Sequence, residues 1–119
     1  MIITNVPAIN GLGKTKGCEN AYSHILGNLK DIYANESGKV VEFKRAEIRI
    51  DKLDAEATNS NILKKANEFF KRDFSLFLGG DHSISYPIFK AFSKFYNNAC
   101  LIVFDAHADC MHNIHPPTH

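Results

Sequence analysis

No stretch of this chain stays apolar for the ~20 residues that a membrane-spanning helix needs, so no helical span is expected. Met1-Ile2-Ile3-Thr4-Asn5-Val6-Pro7 has neither a basic n-region nor a long apolar core, so it does not read as a signal peptide. Net charge is nearly absent too. Lys+Arg 14 against Asp+Glu 13 leaves +1, so bulk electrostatics predict neither nucleic acid nor a membrane surface as partner. Cysteine is sparse: Cys18, Cys100 and Cys110 are odd in number and lack C-x-x-C spacing, and a reduced, cytoplasmic protein is expected. Cys100 reads as core filler, with no chemical role. Repeats and low-complexity segments are missing as well. What is there is an ordinary globular composition, 45% hydrophobic and 23% charged, in 119 residues, enough for one domain with a buried core.

Periodicity divides the chain into alternating strands and helices. Ile2 to Val6 is a short apolar run ending at Pro7, followed by a loop carrying Gly11, Gly13 and Gly17. Asn20 to Lys30 places Ala21, His24, Ile25 and Leu29 at helical spacing, and Asn35-Glu36-Ser37-Gly38 reads as a turn. Val40 to Ile50 is β-rich. Thr58 or Ser60 can cap a helix running to about Arg72, with Ile62, Leu63, Ala66, Phe69 and Phe70 on its inner stripe. Phe74 to Leu78 is another strand; it breaks at Gly79-Gly80 and enters a helix near Ser83, with Ile88, Phe89, Phe92 and Phe95 inward. Ala99 to Phe104 closes the series. Its apolar core shows no polar alternation, which predicts a central strand buried on both faces. The order predicts an α/β fold, three layers (α/β/α) around a parallel sheet. Ligands of such sheets gather at the carboxyl ends of the strands. Two motif loops begin there, Gly79 to Ser83 and Asp105 to Asp109.

The second loop, Asp105-Ala106-His107-Ala108-Asp109, is the most informative stretch. Side chains two apart share one face of an extended chain, so two carboxylates and an imidazole can converge on a divalent cation. Without a cation the two carboxylates repel. In Gly79-Gly80-Asp81-His82-Ser83, the glycines permit a tight or positive-φ turn, or close approach of a ligand or another backbone. Asp81 or Ser83 could cap the next helix. His82 alone would read as a satisfied core histidine; beside Asp105, His107 and Asp109 it reads as a further metal ligand.

Carboxylate oxygen with imidazole nitrogen suits Mn²⁺ first, with Zn²⁺, Fe²⁺ and Co²⁺ as alternatives. Asp105 could bridge two cations roughly 3.5 Å apart, lowering the pKa of a shared water towards ~7 and producing hydroxide. Charge counting leaves a gap. Two divalent cations bring four positive charges, Asp105 and Asp109 supply two negative ones, and the sequence has no second carboxylate cluster of this kind. Of the histidines that follow, His112 and His115 read as solvated loop residues. His119, after Thr118, is the candidate for a mobile acid or proton shuttle.

At these residues the sequence resembles the ureohydrolase family of arginases, agmatinases and formiminoglutamase-type enzymes. Gly79 to Ser83 and Asp105 to Asp109 match its first two metal motifs in order, and Val6-Pro7 with Lys16 to Ala21 resembles its opening loop. The resemblance implies that His82 and Asp109 bind one Mn²⁺, that His107 binds the other, and that Asp105 touches both. Thr118-His119 resembles the family's Ser/Thr-His motif, whose histidine transfers a proton. The resemblance covers residues 1–119 as the N-terminal portion of a single, arginase-like domain, C-terminally incomplete because the later Asp-x-Asp motif is missing.

Two principal readings follow. By resemblance, hydroxide held by the metals attacks a guanidino or amidino carbon and releases urea, or a similar amide, plus an amine. Agmatine is narrowly preferred to arginine and formiminoglutamate as the small substrate. The alternative is a truncated, non-catalytic half-domain that binds metal weakly or associates with a complementary chain. A metal-sensing module on the same half-site comes third. A sheet ending on an apolar strand exposes a sticky edge, so a homo-oligomer or poor solubility is expected.

Overall fold

The computed structural model describes residues 1–9, 16–32 and 34–107. Three strands, β1 (Ile2–Val6), β2 (Lys44–Glu47) and β3 (Ser75–Gly79), pair in parallel in the order β2-β1-β3. The central strand is β1. Ile2 stands beside Lys44 on one side and Ser75 on the other, and the β1–β3 ladder runs on to Val6 beside Gly79. Parallel pairing brings all three carboxyl ends to one edge, where loops can combine their side chains.

Strand alternation sends Ile2, Thr4 and Val6 to the face that carries Phe77, and Ile3 and Asn5 to the face with Leu76 and Leu78. The helices α2 (Ala55–Phe70) and α3 (Ser85–Phe92) close the first face. Val6, Ala8, Ile48, Ile62 and Ile84 form its buried cluster, with Ile50, Phe77 and Ile88 packed against it. Phe70 continues the packing edge-on to Phe77 and Phe92, with ring centroids 5.7 and 5.3 Å away. Helix α1 (Ala21–Asn28) serves the other face, where Leu29, just beyond it, lines an apolar groove with Ile3 and Leu76. These are the three expected layers.

Local chemistry adjusts the predicted boundaries. Helix α2 starts earlier than Thr58 because Asp54 caps it, its carboxylate accepting from the Ala57 N–H at 2.9 Å. Thr58 is fully buried instead, and its hydroxyl accepts from the Asp51 N–H (2.8 Å) and donates to the Asp51 carbonyl (2.9 Å). It fastens the segment after β2 to the helix. The turn at Asn35 to Gly38 forms as predicted: the Asn35 side chain accepts from the Ser37 and Lys39 amides, and Gly38 takes φ 70°. Of Val40 to Ile50, only Lys44–Glu47 pairs as a strand.

The predicted last strand is the main departure. Residues 101–104 are neither a strand nor buried; side-chain exposure runs from 47% at Val103 to 98% at Phe104. Cys100 is exposed with them and is not core filler, and Phe95, expected inward, sits at the surface. The apolar pattern records what a finished sheet would bury. A strand also needs a neighbour to complete its hydrogen bonds, and no described strand offers one here.

Gly80 shows which of its possible uses the fold needs. Its φ is not positive; its backbone lies against Ala8, and its N–H donates to the Val6 carbonyl at 3.2 Å. A β-carbon there would run into the Ala8 carbonyl oxygen, which cannot move without moving the chain. At Gly79 it would meet only the flexible end of Ile84. Gly80→Ala is therefore expected to cost about 1–3 kcal/mol in urea denaturation, and more than Gly79→Ala. Equal midpoints for the two variants would contradict this packing.

Candidate metal centre

The turn His82–Ile84 follows β3 directly, and backbone bonds fix where it begins. The Gly80 and Asp81 amides donate to the Val6 and Ala8 carbonyls at 3.2 and 3.1 Å, tying the end of β3 to the end of β1. Asp81 then caps the turn: its carboxylate accepts from the Ser83 N–H at 3.1 Å and from the Ser83 hydroxyl. The helix-cap reading of this aspartate is thus the one realised. His82 is exposed, and its Nδ1 pairs with the Ser85 hydroxyl at 2.9 Å. A hydrogen bond at one ring nitrogen sets the orientation of an imidazole, as second partners do for metal-binding histidines. Sequence reading passes over Ser85; a hydroxyl three residues along a helical turn from a candidate ligand is the signal that could have found it.

On the second loop, Asp105 to His107 is not extended. It bends, with the Asp105 carboxylate accepting from the His107 N–H at 2.9 Å and lying 3.4 Å from His107 Nδ1. Asp105 and His107 share a side through this side-chain-to-backbone turn, not through the alternation of a strand. The His107 amide is the largest influence holding the Asp105 carboxyl below the usual carboxylate range; desolvation comes next and opposes it, and the His107 imidazole and His82 add to the lowering. His82 is the weakest of these influences.

An ionised carboxylate beside imidazole nitrogens is a donor set that fits a divalent cation. The grouping is only partial: among the described residues no three His, Cys, Asp or Glu side chains converge closely enough to hold one. His82, Asp105 and His107 are described; Asp109 and His119 lie outside the described residues, as do Cys110, His112 and His115. The strands that would bring the loops together explain the looseness. Residues 101–104 are not laddered to β3, so no shared register sets Asp105 against His82.

The chain resembles known proteins over most of its length. The model of the Arginase family matches residues 1–118. An agmatinase of Blochmanniella floridana is 46% identical over 56 residues, covering 45% of this chain and 18% of that protein. An arginase of Bacillus subtilis is 32% identical over 95 residues, covering 74% of this chain and 32% of the arginase. Among solved structures, a candidate agmatinase from Clostridium difficile superposes with a TM-score of 0.78 at 20% identity, a likeness of fold alone. It covers 89% of this chain and 41% of that one. The chain thus spans a third or less of the curated relatives' length.

The Asp105 bend yields a pH dependence with a definite sign. A carboxyl whose pKa is depressed by folding favours the fold above its ordinary pKa and loses that contribution as pH falls through the depressed value. The His107 amide resonance is expected to titrate with a midpoint below the ordinary ~3.9 of aspartate. A midpoint at or above that value would contradict the bend.

Proposed function

The chain belongs to the Arginase family, and on that premise we propose that residues 1–119 are the N-terminal portion of one metal-dependent hydrolase domain. Its reaction is cleavage of a guanidino or amidino carbon–nitrogen bond, with urea and an amine as products and agmatine or arginine as the class of substrate. The observation that carries the reading is the Asp105–His107 bend, in which one carboxylate accepts from the His107 amide at 2.9 Å and lies 3.4 Å from its imidazole, in a chain that the Arginase family model matches over residues 1–118. His82, Asp105, His107 and Asp109 would hold manganese. When bound, such ions act as Lewis acids and lower the pKa of water enough to supply hydroxide near neutral pH.

The chain's own groups have separable tasks. Asp81 and the Gly80 backbone hold the turn that carries His82, and Ser85 sets the orientation of its ring. The His107 amide favours the ionised form of Asp105, the form that binds a cation. His119 is the proposed proton carrier for the leaving amine. The site works in a cytoplasmic setting in this proposal; among the described residues no helix is long and apolar enough to cross a membrane.

A second reading has a specific observation behind it. Two carboxylates against two divalent cations leave the site short of charge, and no three-ligand cluster forms among the described residues. On that reading the chain is a non-catalytic half-domain. Urea release from agmatine by the purified chain with added Mn²⁺ separates the two. The enzyme reading expects Mn²⁺-dependent turnover that falls by about 100-fold or more in His107→Ala. Wild-type chain with no turnover above buffer would assign it to the second reading.

A further inference from the structure

The amino edge of the sheet carries a cleft that the candidate metal centre does not use. It has a volume of about 500 Å³ and opens where α2 and α3 end and β3 begins. Small-ligand sites have volumes of roughly 300–1,000 Å³. Ser75 lines it, so it lies at the opposite end of β3 from the turn that carries His82. Four aromatic residues, Phe70, Phe74, Phe92 and Tyr96, form its walls, and Lys71 and Arg72 add two cations.

The rings differ in what explains them. Phe70 meets Phe92 edge-on, with centroids 5.3 Å apart, and so helps close α2 onto α3. Phe92 passes the contact to Tyr96, 4.5 Å away. Tyr96 is still 50% exposed and Phe74 71% exposed, so burial accounts for neither. Large apolar groups gathered in water mark a contact surface. The cations have an ordinary role as well, since positive charge at the end of α2 complements the helix dipole. That role does not explain why they border exposed rings. Asp73, the carboxylate of the cleft, is already engaged: it accepts from the Met1 ammonium and from the Phe74 N–H, each at 2.8 Å. Lys71 lies over the Phe95 ring, 6.0 Å from its centre, a contact that leaves its charge unneutralised. Arg72 forms no ion pair among the described residues. The cleft is therefore both aromatic and positive.

We propose that this cleft binds a small planar aromatic anion of the nucleoside monophosphate class, with its base against Phe74 and Tyr96 and its phosphate on Lys71 and Arg72. Aromatic side chains stack on any base, and an ammonium beside a guanidinium offers charge-assisted bonds to phosphate. A phosphate monoester carries about −1.5 to −2 charge near pH 7, which two cations balance. A long nucleic acid is a poorer match, because the chain as a whole carries only +1. Among the described residues, none of the candidate metal ligands lines the cleft, so the inference goes beyond the hydrolytic reading and does not rest on it.

The test is titration of the ¹⁵N-labelled chain with AMP, adenosine and inorganic phosphate, read by amide shifts. AMP is expected to saturate one set of shifts confined to residues 70–75 and 92–96, and to weaken with added salt. It should bind at least about tenfold more tightly than adenosine or phosphate, each of which carries half of the recognised chemistry. Lys71→Glu with Arg72→Glu, both at exposed positions, should weaken AMP at least about tenfold and leave adenosine unchanged. Tyr96→Ala should weaken AMP and adenosine alike. Arg45→Glu, on β2, is the matched charge reversal and should leave AMP binding intact. The same spectra report whether each variant is folded. The proposal is overturned if AMP causes no shifts or scattered ones, if adenosine or phosphate binds as tightly as AMP, or if the double variant binds AMP as the parent does. None of these readings involves Mn²⁺ or urea release, so loss of the hydrolytic reading and loss of this one are distinguishable.

Discussion

Two backbone hydrogen bonds, from the Gly80 and Asp81 amides to the Val6 and Ala8 carbonyls, hold the arrangement of this protein. They lock the exit of β3 onto the exit of β1, the central strand, and so determine where the turn carrying His82 begins. The packing requires glycine at position 80 because the Ala8 carbonyl occupies the space of a side chain. The neighbouring core depends on the same geometry: Val6, Ala8 and Ile84 around the clamp belong to the buried cluster that receives Ile62 from α2. A residue prized in the sequence for chemistry, Gly80 of the Gly-Gly-Asp-His run, is thus first a packing residue.

Much of the fold is legible in the sequence because burial is periodic. Ile2 to Val6, the α2 stripe through Ile62 and Ala66, and the turn at Asn35 follow from alternation, helical spacing and side-chain-to-backbone bonding, each a local cause. Residues 101–104 show the limit of that logic. Four apolar residues in a row state a demand for burial, but burial is supplied by neighbours, and the demand goes unmet among the described residues. The start of α2 illustrates a smaller effect, in which Asp54 competes successfully with Thr58 for the cap and frees Thr58 to tie down Asp51. In the candidate site, residue types were readable but orientation was not. Ser85 and the Asp105–His107 bend arise from contacts at two- and three-residue range that no periodicity reports.

The two motif loops are each ordered by short-range contacts of their own. The His107 amide holds the Asp105 carboxylate, and the Ser85 hydroxyl orients His82. Among the described residues no ladder joins residues 101–104 to β3, so nothing in the sheet fixes the spacing of one loop against the other.

The most direct test of a shared half-site is Mn²⁺ titration of the ¹⁵N-labelled chain, because a paramagnetic ion broadens nearby resonances. Concerted broadening of Gly80 to Ser83 and of Asp105 to His107 at one Mn²⁺ level, with Lys44 to Glu47 unaffected, is the predicted result. Broadening of one loop without the other would contradict the account.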